Sequence, residues 1–264
     1  MPYRFTLLGC GSSTGVPRVG NDWGKCDPGE PKNRRRRCSA LYERLERDGA
    51  TMILVDTGPD CREQLLSVRV KSLDAVLYTH DHADHTHGID DLRMLAYMSR
   101  RRIPVWANAV TQAALEKRFD YCFTQPKGSS YPPILTSHLL DAPGRLSIEG
   151  GGGPVEVEVV PQEHGDITSL GFRFGDLAYS PDVSGLTDEA AAQLEGLDVW
   201  IVDALRYQPH PSHFSVDQAL AWIARLKPKR AILTHMHIDL DYQALWRYLP
   251  PGIQPAYDGM VFEG

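Results

Sequence analysis

Several things are scarce in this 264-residue sequence. It has five cysteines, Cys10, Cys26, Cys38, Cys61 and Cys122, an odd and widely spaced set that makes no disulfide framework. A chain of this length can bury a core without such staples. Cys10, Cys61 and Cys122 are therefore expected as small buried hydrophobes. Long apolar runs are missing as well: Thr51–Val55 and Asp198–Val202 are strand-sized, far short of the roughly 20 residues a membrane span needs. The N-terminal stretch Met1-Pro2-Tyr3-Arg4-Phe5-Thr6-Leu7-Leu8-Gly9 lacks the apolar core of a secretory signal, which makes the cytoplasm the expected compartment. There is no basic surplus. The net charge is -6, and residues 1–50 carry ten Lys/Arg against six Asp/Glu, so the remainder of the chain is at -10. That balance argues against a positive surface built for long nucleic acids.

Histidine is plentiful and clustered. Four of the ten lie between His80 and His87, and four more are His210, His213, His235 and His237. Around them the pattern reads as alternating strands and helices. Arg4–Leu8 is a strand, and 14–37 is a long loop rich in Gly, Pro and charge. Ser39–Leu45 and Thr51–Asp56 form a hairpin around Asp48-Gly49. Asp60 is expected to cap a short helix through Leu66. Asp74–Tyr78, Ile103–Ala107, Val155–Val160, Val199–Asp203 and Ala231–Thr234 have the length and apolar content of strands. A second hairpin joins Leu170–Phe174 to Leu177–Ser180. Helices are expected over Ile89–Met98, Val110–Phe119, Thr187–Leu197 and Tyr242–Tyr248, and from a capping box at Ser215 and Gln218 to Leu226. Residues 124–153, with Gly150–Gly153, read as a surface excursion. No linker divides two cores, so the chain is expected to form one domain over 1–264. The order implies an α/β sandwich with mixed sheets inside and helices outside.

The segment that carries chemistry is His80-Asp81-His82-Ala83-Asp84-His85. Three imidazoles and a carboxylate within six residues, directly after an apolar strand, suit a divalent metal of borderline softness. His80 and His82 can serve one ion while Asp84 and His85 serve another.

With this motif the chain resembles the metallo-β-lactamase-fold hydrolases, which carry His-x-His-x-Asp-His after an apolar strand. Further matches are Asp56-Thr57-Gly58 after a strand, His164 after strand 155–160, Asp182 in Tyr179-Ser180-Pro181-Asp182 and His235 in Ile232-Leu233-Thr234-His235. The resemblance implies an αββα sandwich of two mixed sheets flanked by helices. It implies two divalent metal ions per chain, Zn²⁺ or Mn²⁺ with Fe²⁺ as a further option. His80, His82 and His164 would hold one ion, Asp84, His85 and His235 the other, and Asp182 would bridge both. A hydroxide shared by the two ions would be the nucleophile. Asp56 would orient a ligand or backbone rather than bind metal, with a turn-forming role as the alternative.

Within the superfamily, His213-Phe214-Ser215-Val216-Asp217-Gln218-Ala219 and the opening Leu8-Gly9-Cys10-Gly11-Ser12-Ser13-Thr14-Gly15-Val16-Pro17 resemble the phosphodiesterase branch. That branch includes tRNase Z and the phosphoribosyl 1,2-cyclic phosphodiesterases. The catalytic residues so implied are His213, as the general acid that protonates the leaving alkoxide, and Asp84; His210 is a rival for the acid. The implied substrate is a small phosphodiester, cyclic ones included, or a nucleotide-like molecule, with no membrane partner and a homodimer left open. A tRNase Z-like ribonuclease, a thioester or lactone hydrolase and a non-catalytic nucleotide-binding module are the alternatives. Residues 124–153 hold only Lys127 and Arg145 as cations, which weakens the tRNA reading. Relatives often carry a structural zinc site in the loop after the Gly-rich strand. Here Cys26, Cys38 and His237 could supply only part of one. Arg34–Arg37 would ordinarily be a solvated face, with pairing to acids or phosphate binding as alternatives, and His87 and His138 are given no role.

Overall fold

The computed structural model describes residues 2–264. In the N-terminal half, strands Tyr3–Gly9 (β1), Ser39–Glu46 (β2), Gly49–Val55 (β3), Ala75–Leu77 (β4), Ile103–Ala107 (β5) and Leu135–Leu139 (β6) are interleaved with helices Cys61–Ser67 (α1), Ala83–Thr86 (α2), Arg93–Ser99 (α3), Ala109–Arg118 (α4) and Asp120–Phe123 (α5). In the C-terminal half, strands Gly144–Ile148 (β7), Val155–His164 (β8), Ile167–Phe174 (β9), Leu177–Ser180 (β10), Val199–Asp203 (β11), Arg230–Thr234 (β12) and Ile253–Pro255 (β13) accompany helices Asp188–Ala192 (α6), Val216–Leu226 (α7) and Tyr242–Tyr248 (α8). Val261–Glu263 (β14) returns to the first half.

Two seven-stranded sheets result, in the orders β14-β1-β2-β3-β4-β5-β6 and β13-β12-β11-β10-β9-β8-β7. Each begins with antiparallel hairpins and continues in parallel: β3, β4, β5 and β6 run together in one, β10, β11, β12 and β13 in the other. The sheets are mixed and flanked by helices, as expected. A large apolar cluster, including Phe5, Tyr179, Phe172 and Trp200, packs between them, and a second, with Leu54, Tyr78 and Leu92, packs the first sheet against α1, α3 and α4. Fully burying one such Leu or Phe contributes about 1.5–3 kcal/mol.

Five expectations change. Asp60 sits before α1 but makes no side-chain cap; its carboxylate accepts from the Arg37 backbone N–H at 2.8 Å and pairs with the Arg37 guanidinium at 3.1 Å. Ile89–Leu92 is a tight 3₁₀ turn, and the α-helix begins only at Arg93. α6 stops at Ala192, before a turn through Gly196 at φ +70°. The 124–153 segment is the crossover between the sheets rather than a protruding arm: it contributes β6 to the edge of one and β7 to the edge of the other. The arginine run is no solvated face either. Arg35 is 2% exposed and donates to the Leu240 carbonyl at 2.7 Å, and Arg36 pairs with Asp258 at 3.0 Å.

Candidate metal centre

Ligands and their supports leave the carboxyl ends of parallel strands, the edge where open α/β sheets bind ligands. β3 delivers Asp56, β4 delivers Thr79 and His80, β10 delivers Asp182, β11 ends on Asp203 and β12 delivers His235. The antiparallel strand β8 ends on His164. Beyond β4 the chain passes through extended His82 into one helical turn, α2, which carries Asp84 and His85. Gly58 explains part of this placement. A Cβ there would sit 2.1 Å from the Asp84 carbonyl oxygen, so only glycine lets α2 press against the Asp56-Thr57-Gly58 turn. Arg118 of α4 holds the turn from outside, pairing with Asp81 at 2.8 Å.

The predicted ligands converge. His80, His82 and His164 each bring a ligand atom within 4.8 Å of the others, and Asp84, His85 and His235 do the same. Asp182 lies between the two groups. Its Oδ1 is 3.1 Å from His85 Nε2, and its Oδ2 is 3.3 Å from His235 Nε2, 3.8 Å from His164 Nε2 and 3.9 Å from His80 Nε2. His80 Nε2, His85 Nε2, His235 Nε2 and Asp182 Oδ1 are buried with no hydrogen-bond partner among the described residues. Each such orphan costs about 1–3 kcal/mol. A set of them aimed at common points is what bound cations would satisfy, and nitrogen and carboxylate donors without thiolate suit Zn²⁺, Mn²⁺ and Fe²⁺. The residues present therefore fit divalent metal.

The electrostatics favour the same occupant. Burial pushes His80 well below the ordinary imidazole range, with the neighbouring His85 adding to the effect. Burial takes His164 down to about 4, against the pull of Asp182. These rings stay neutral, the form that binds metal. Burial alone would raise Asp84 and Asp182, but His85 and His235 together outweigh it at each, holding both carboxyls well below their usual range. His85 is the exception: burial would lower it, but Asp182, Asp84 and Asp56 together hold it well above.

Supporting hydrogen bonds fix ring orientation. His85 Nδ1 donates to Asp56 Oδ2 at 2.7 Å, and Thr79 donates to the same carboxylate through its backbone N–H and its hydroxyl, at 2.9 and 2.8 Å. His164 Nδ1 donates to the Ser212 carbonyl at 2.5 Å. Each bond leaves Nε2 facing the cluster. Asp56 thus orients a ring, the first of its two expected roles. Asp56 and His235 are held in the left-handed region, at φ +62° and +57°. For non-glycine residues that conformation costs about 1–3 kcal/mol and is typical of functional sites.

His213 stands beside the cluster. The capping box of Ser215 and Gln218 starts α7, and Phe214, 1% exposed, ties the segment to the strand ends through Val183 and Leu205. The His213 ring stacks on His235 at 4.5 Å between centroids, and its Nδ1 is 2.7 Å from Asp203 Oδ2. Asp203 has no solvent exposure, and the sequence alone gives it no role beyond ending a strand. Its one signal is shared with the ligands: a polar residue closing an apolar strand. Burial holds His213 below the ordinary histidine range, partly offset by Asp182 and Asp84. His210 is less buried, bonds to Ser212 and lines the same pocket as His213.

Other candidates fall elsewhere. Cys26 Sγ bonds the Ile238 carbonyl, and Cys38 Sγ contacts Thr234 Oγ1. With His237 they form no metal-sized group among the described residues. All five cysteines are buried and unpaired. His87 packs on Phe119 and His138 on Trp106. No helix among the described residues is long and apolar enough to cross a membrane.

The family model of the beta-lactamase superfamily domain matches residues 51–236, a span holding every residue of the ligand cluster. The chain belongs to the metallo-β-lactamase superfamily. Among solved structures, this superfamily member is similar to a diphosphatase of the PhnP family, at 36% identity and a TM-score of 0.89, covering 100% of this chain and 98% of that one. The Zn²⁺-bound PqqB of Methylobacterium extorquens shares the fold at 16% identity and a TM-score of 0.74, covering 98% and 99%. A curated octanoyltransferase of Porphyromonas gingivalis is 32% identical over 97% of this chain, which spans only 51% of that protein.

Proposed function

We propose that the protein is a dinuclear metal-dependent hydrolase of small phosphodiesters, cyclic ones included. The observation that carries this reading is the convergence of two three-residue ligand groups on one shared aspartate, Asp182, with His213 at the rim. His80, His82 and His164 would hold one cation, Asp84, His85 and His235 the other, with Asp182 between them. Bound there, divalent cations lower the pKa of water and withdraw charge from phosphoryl oxygens. The chain supplies the rest. Asp56 and Ser212 hold His85 and His164 in the tautomer that points Nε2 inward. Asp203 accepts from His213 Nδ1 and so leaves Nε2 for the pocket, where it can give a proton to the leaving alkoxide, which is too basic to depart unaided. Similarity to the PhnP-family diphosphatase supports a phosphate-bearing substrate.

The alternatives have less behind them. The 124–153 segment, bound into both sheets, offers no free arm to grip an RNA. Acyl transfer, suggested by a relative about twice as long, would call for a reactive nucleophile, and no cysteine lines the pocket beside the cluster. The test is turnover of bis(p-nitrophenyl) phosphate with added Mn²⁺ or Zn²⁺, beside metal analysis of the loaded protein. Hydrolysis with two ions per chain is expected. No hydrolysis by fully metallated protein overturns the reading, and a single ion per chain overturns the bridged pair.

A further inference from the structure

A cavity of about 650 Å³ lies away from the metal centre, in a groove between α1 and α3. None of its lining residues belongs to either ligand group. The two helices run side by side in one direction. They start together: a Cβ on Gly88, before α3, would sit 2.7 Å from the Cβ of Cys61, the first residue of α1. They end together: Arg101, just past α3, donates to the carbonyl of Leu73, a few residues past α1, at 3.0 Å. At 1.5 Å per residue, helices of seven residues make the groove about 10 Å long. Its floor is Leu65 and Leu95, 7% and 8% exposed, and its walls are Leu66, Met94 and Met98, each more than half exposed. Its volume falls in the roughly 300–1,000 Å³ range of small-molecule sites, and methionine walls adapt to a guest.

Charge is unequal along the groove. At its start Arg62 pairs with Glu63 and Arg93 with Asp90, and Asp91 stands beside them, so that end holds both signs. At the far end Arg69 and Lys71 line the groove and make no ion pair or side-chain hydrogen bond among the described residues. Their neighbour Arg101 is already paired with Asp74 at 2.6 Å. Arg69 is held in place by the turn that closes α1. The N–H groups of Arg69 and Val70 donate to the Leu66 and Leu65 carbonyls at 3.2 and 3.1 Å, and Arg69 sits at φ +57°, in the helix-ending position where glycine is usual. A chain of net charge -6 thus keeps two free cations beside exposed apolar surface. An apolar trough with a cationic end complements a molecule with an apolar tail and an anionic head, and a guanidinium can hold a carboxylate by two parallel hydrogen bonds. A flat bilayer surface would meet the walls but not the buried floor.

We propose that the groove between α1 and α3 binds a medium-chain fatty acid anion, its tail along Leu65, Leu66, Met94 and Met98 and its carboxylate at Arg69 and Lys71. This site is separate from the phosphodiesterase chemistry and stands or falls without it.

The test is calorimetry on the metal-loaded protein with decanoate, and with decyltrimethylammonium, which has the same tail and the opposite charge. Decanoate should bind about tenfold or more tightly, the scale of one or two charge-assisted hydrogen bonds. Octanoate should bind about tenfold more weakly than decanoate, because each buried methylene is worth about fourfold. R69G and K71Q should each weaken decanoate about fivefold or more and leave decyltrimethylammonium unweakened. M94Q and M98Q should weaken both. R69G places glycine where the turn favours it, so the fold is kept and the urea midpoint should not fall. No decanoate binding, equal affinity for the two head groups, or decanoate affinity unchanged in both R69G and K71Q overturns the proposal. Binding to phosphatidylglycerol vesicles with none to dissolved decanoate would make the patch a membrane contact, and overturns it too.

Discussion

Two buried aspartate–histidine pairs, Asp56–His85 and Asp203–His213, share a 2.7 Å contact and differ in everything around it. Asp56 has both oxygens engaged: one takes the Thr79 backbone N–H, the other the Thr79 hydroxyl and His85. Its histidine faces inward, between Asp84 and Asp182. Asp203 takes the Val183 N–H and His213 on one oxygen, and its other oxygen is buried with no partner, 3.9 Å from His235 Nδ1. Its histidine lines the open pocket. The same contact thus serves two ends. A carboxylate with both oxygens engaged fixes a ligand in one geometry. One with an oxygen in reserve can follow a change of charge on its histidine.

The largest effect expected from this contrast is at Asp56. Asp56→Ala removes the acceptor of three buried donors and should cost about 3–5 kcal/mol in urea unfolding. It should also weaken metal binding about 10–100-fold in a competition titration. A loss of under about 1 kcal/mol would show that the pair is not a lock. At the other pair the effect should depend on the substrate. His213→Ala should lower kcat about 10²–10⁴-fold for a diester with an alkoxide leaving group, and far less for p-nitrophenolate, which needs no acid. Asp203→Asn should cost less, about tenfold, and move the falling limb of the pH–rate profile to lower pH. The lost carboxylate would otherwise stabilise the protonated ring, so its removal lowers the His213 pKa. Equal losses for both leaving groups in His213→Ala would mean that His213 is not the acid.

These pairs also mark what could be read without coordinates. His80, His82, Asp84 and His85 sit within six residues and announce themselves by spacing alone. His164, Asp182 and His235 are isolated in sequence, and only their places after apolar strands, read through a family resemblance, brought them in. Asp203 has that place too, but it supports a histidine ten residues on, and no local spacing encodes such a pairing. The strands were legible because burial on both faces makes continuous apolar runs. The 124–153 crossover was not: β6 and β7 are edge strands, β6 fully buried only at Leu135 and β7 alternating in exposure, and their Gly- and Pro-rich surroundings read as loop. Arg35 was equally hidden, since a guanidinium buried against backbone carbonyls has the same sequence signature as one in water.

The smallest predicted effect separates the pairs by protons rather than by rate. In the metal-free protein burial favours neutral His85, but Asp182, Asp84 and Asp56 outweigh it and keep the ring protonated through neutrality. A cation taken up by Nε2 must displace that proton. His164, brought down to about 4 by burial, is already neutral and has none to release, and Asp84 and Asp182 are already ionised. Loading metal at neutral pH should therefore release about one proton per chain, and affinity should rise with pH up to the His85 pKa. Calorimetry in buffers of different ionisation enthalpy counts that proton directly. Asp56→Asn should reduce the count, because it removes one of the three charges that hold the proton. Asp203→Asn should leave it unchanged, because Asp203 supports a ring outside the two ligand groups. A wild-type count near zero would mean that the carboxylates around His85 do not hold its proton, and the locked pair would then be an ordinary neutral hydrogen bond.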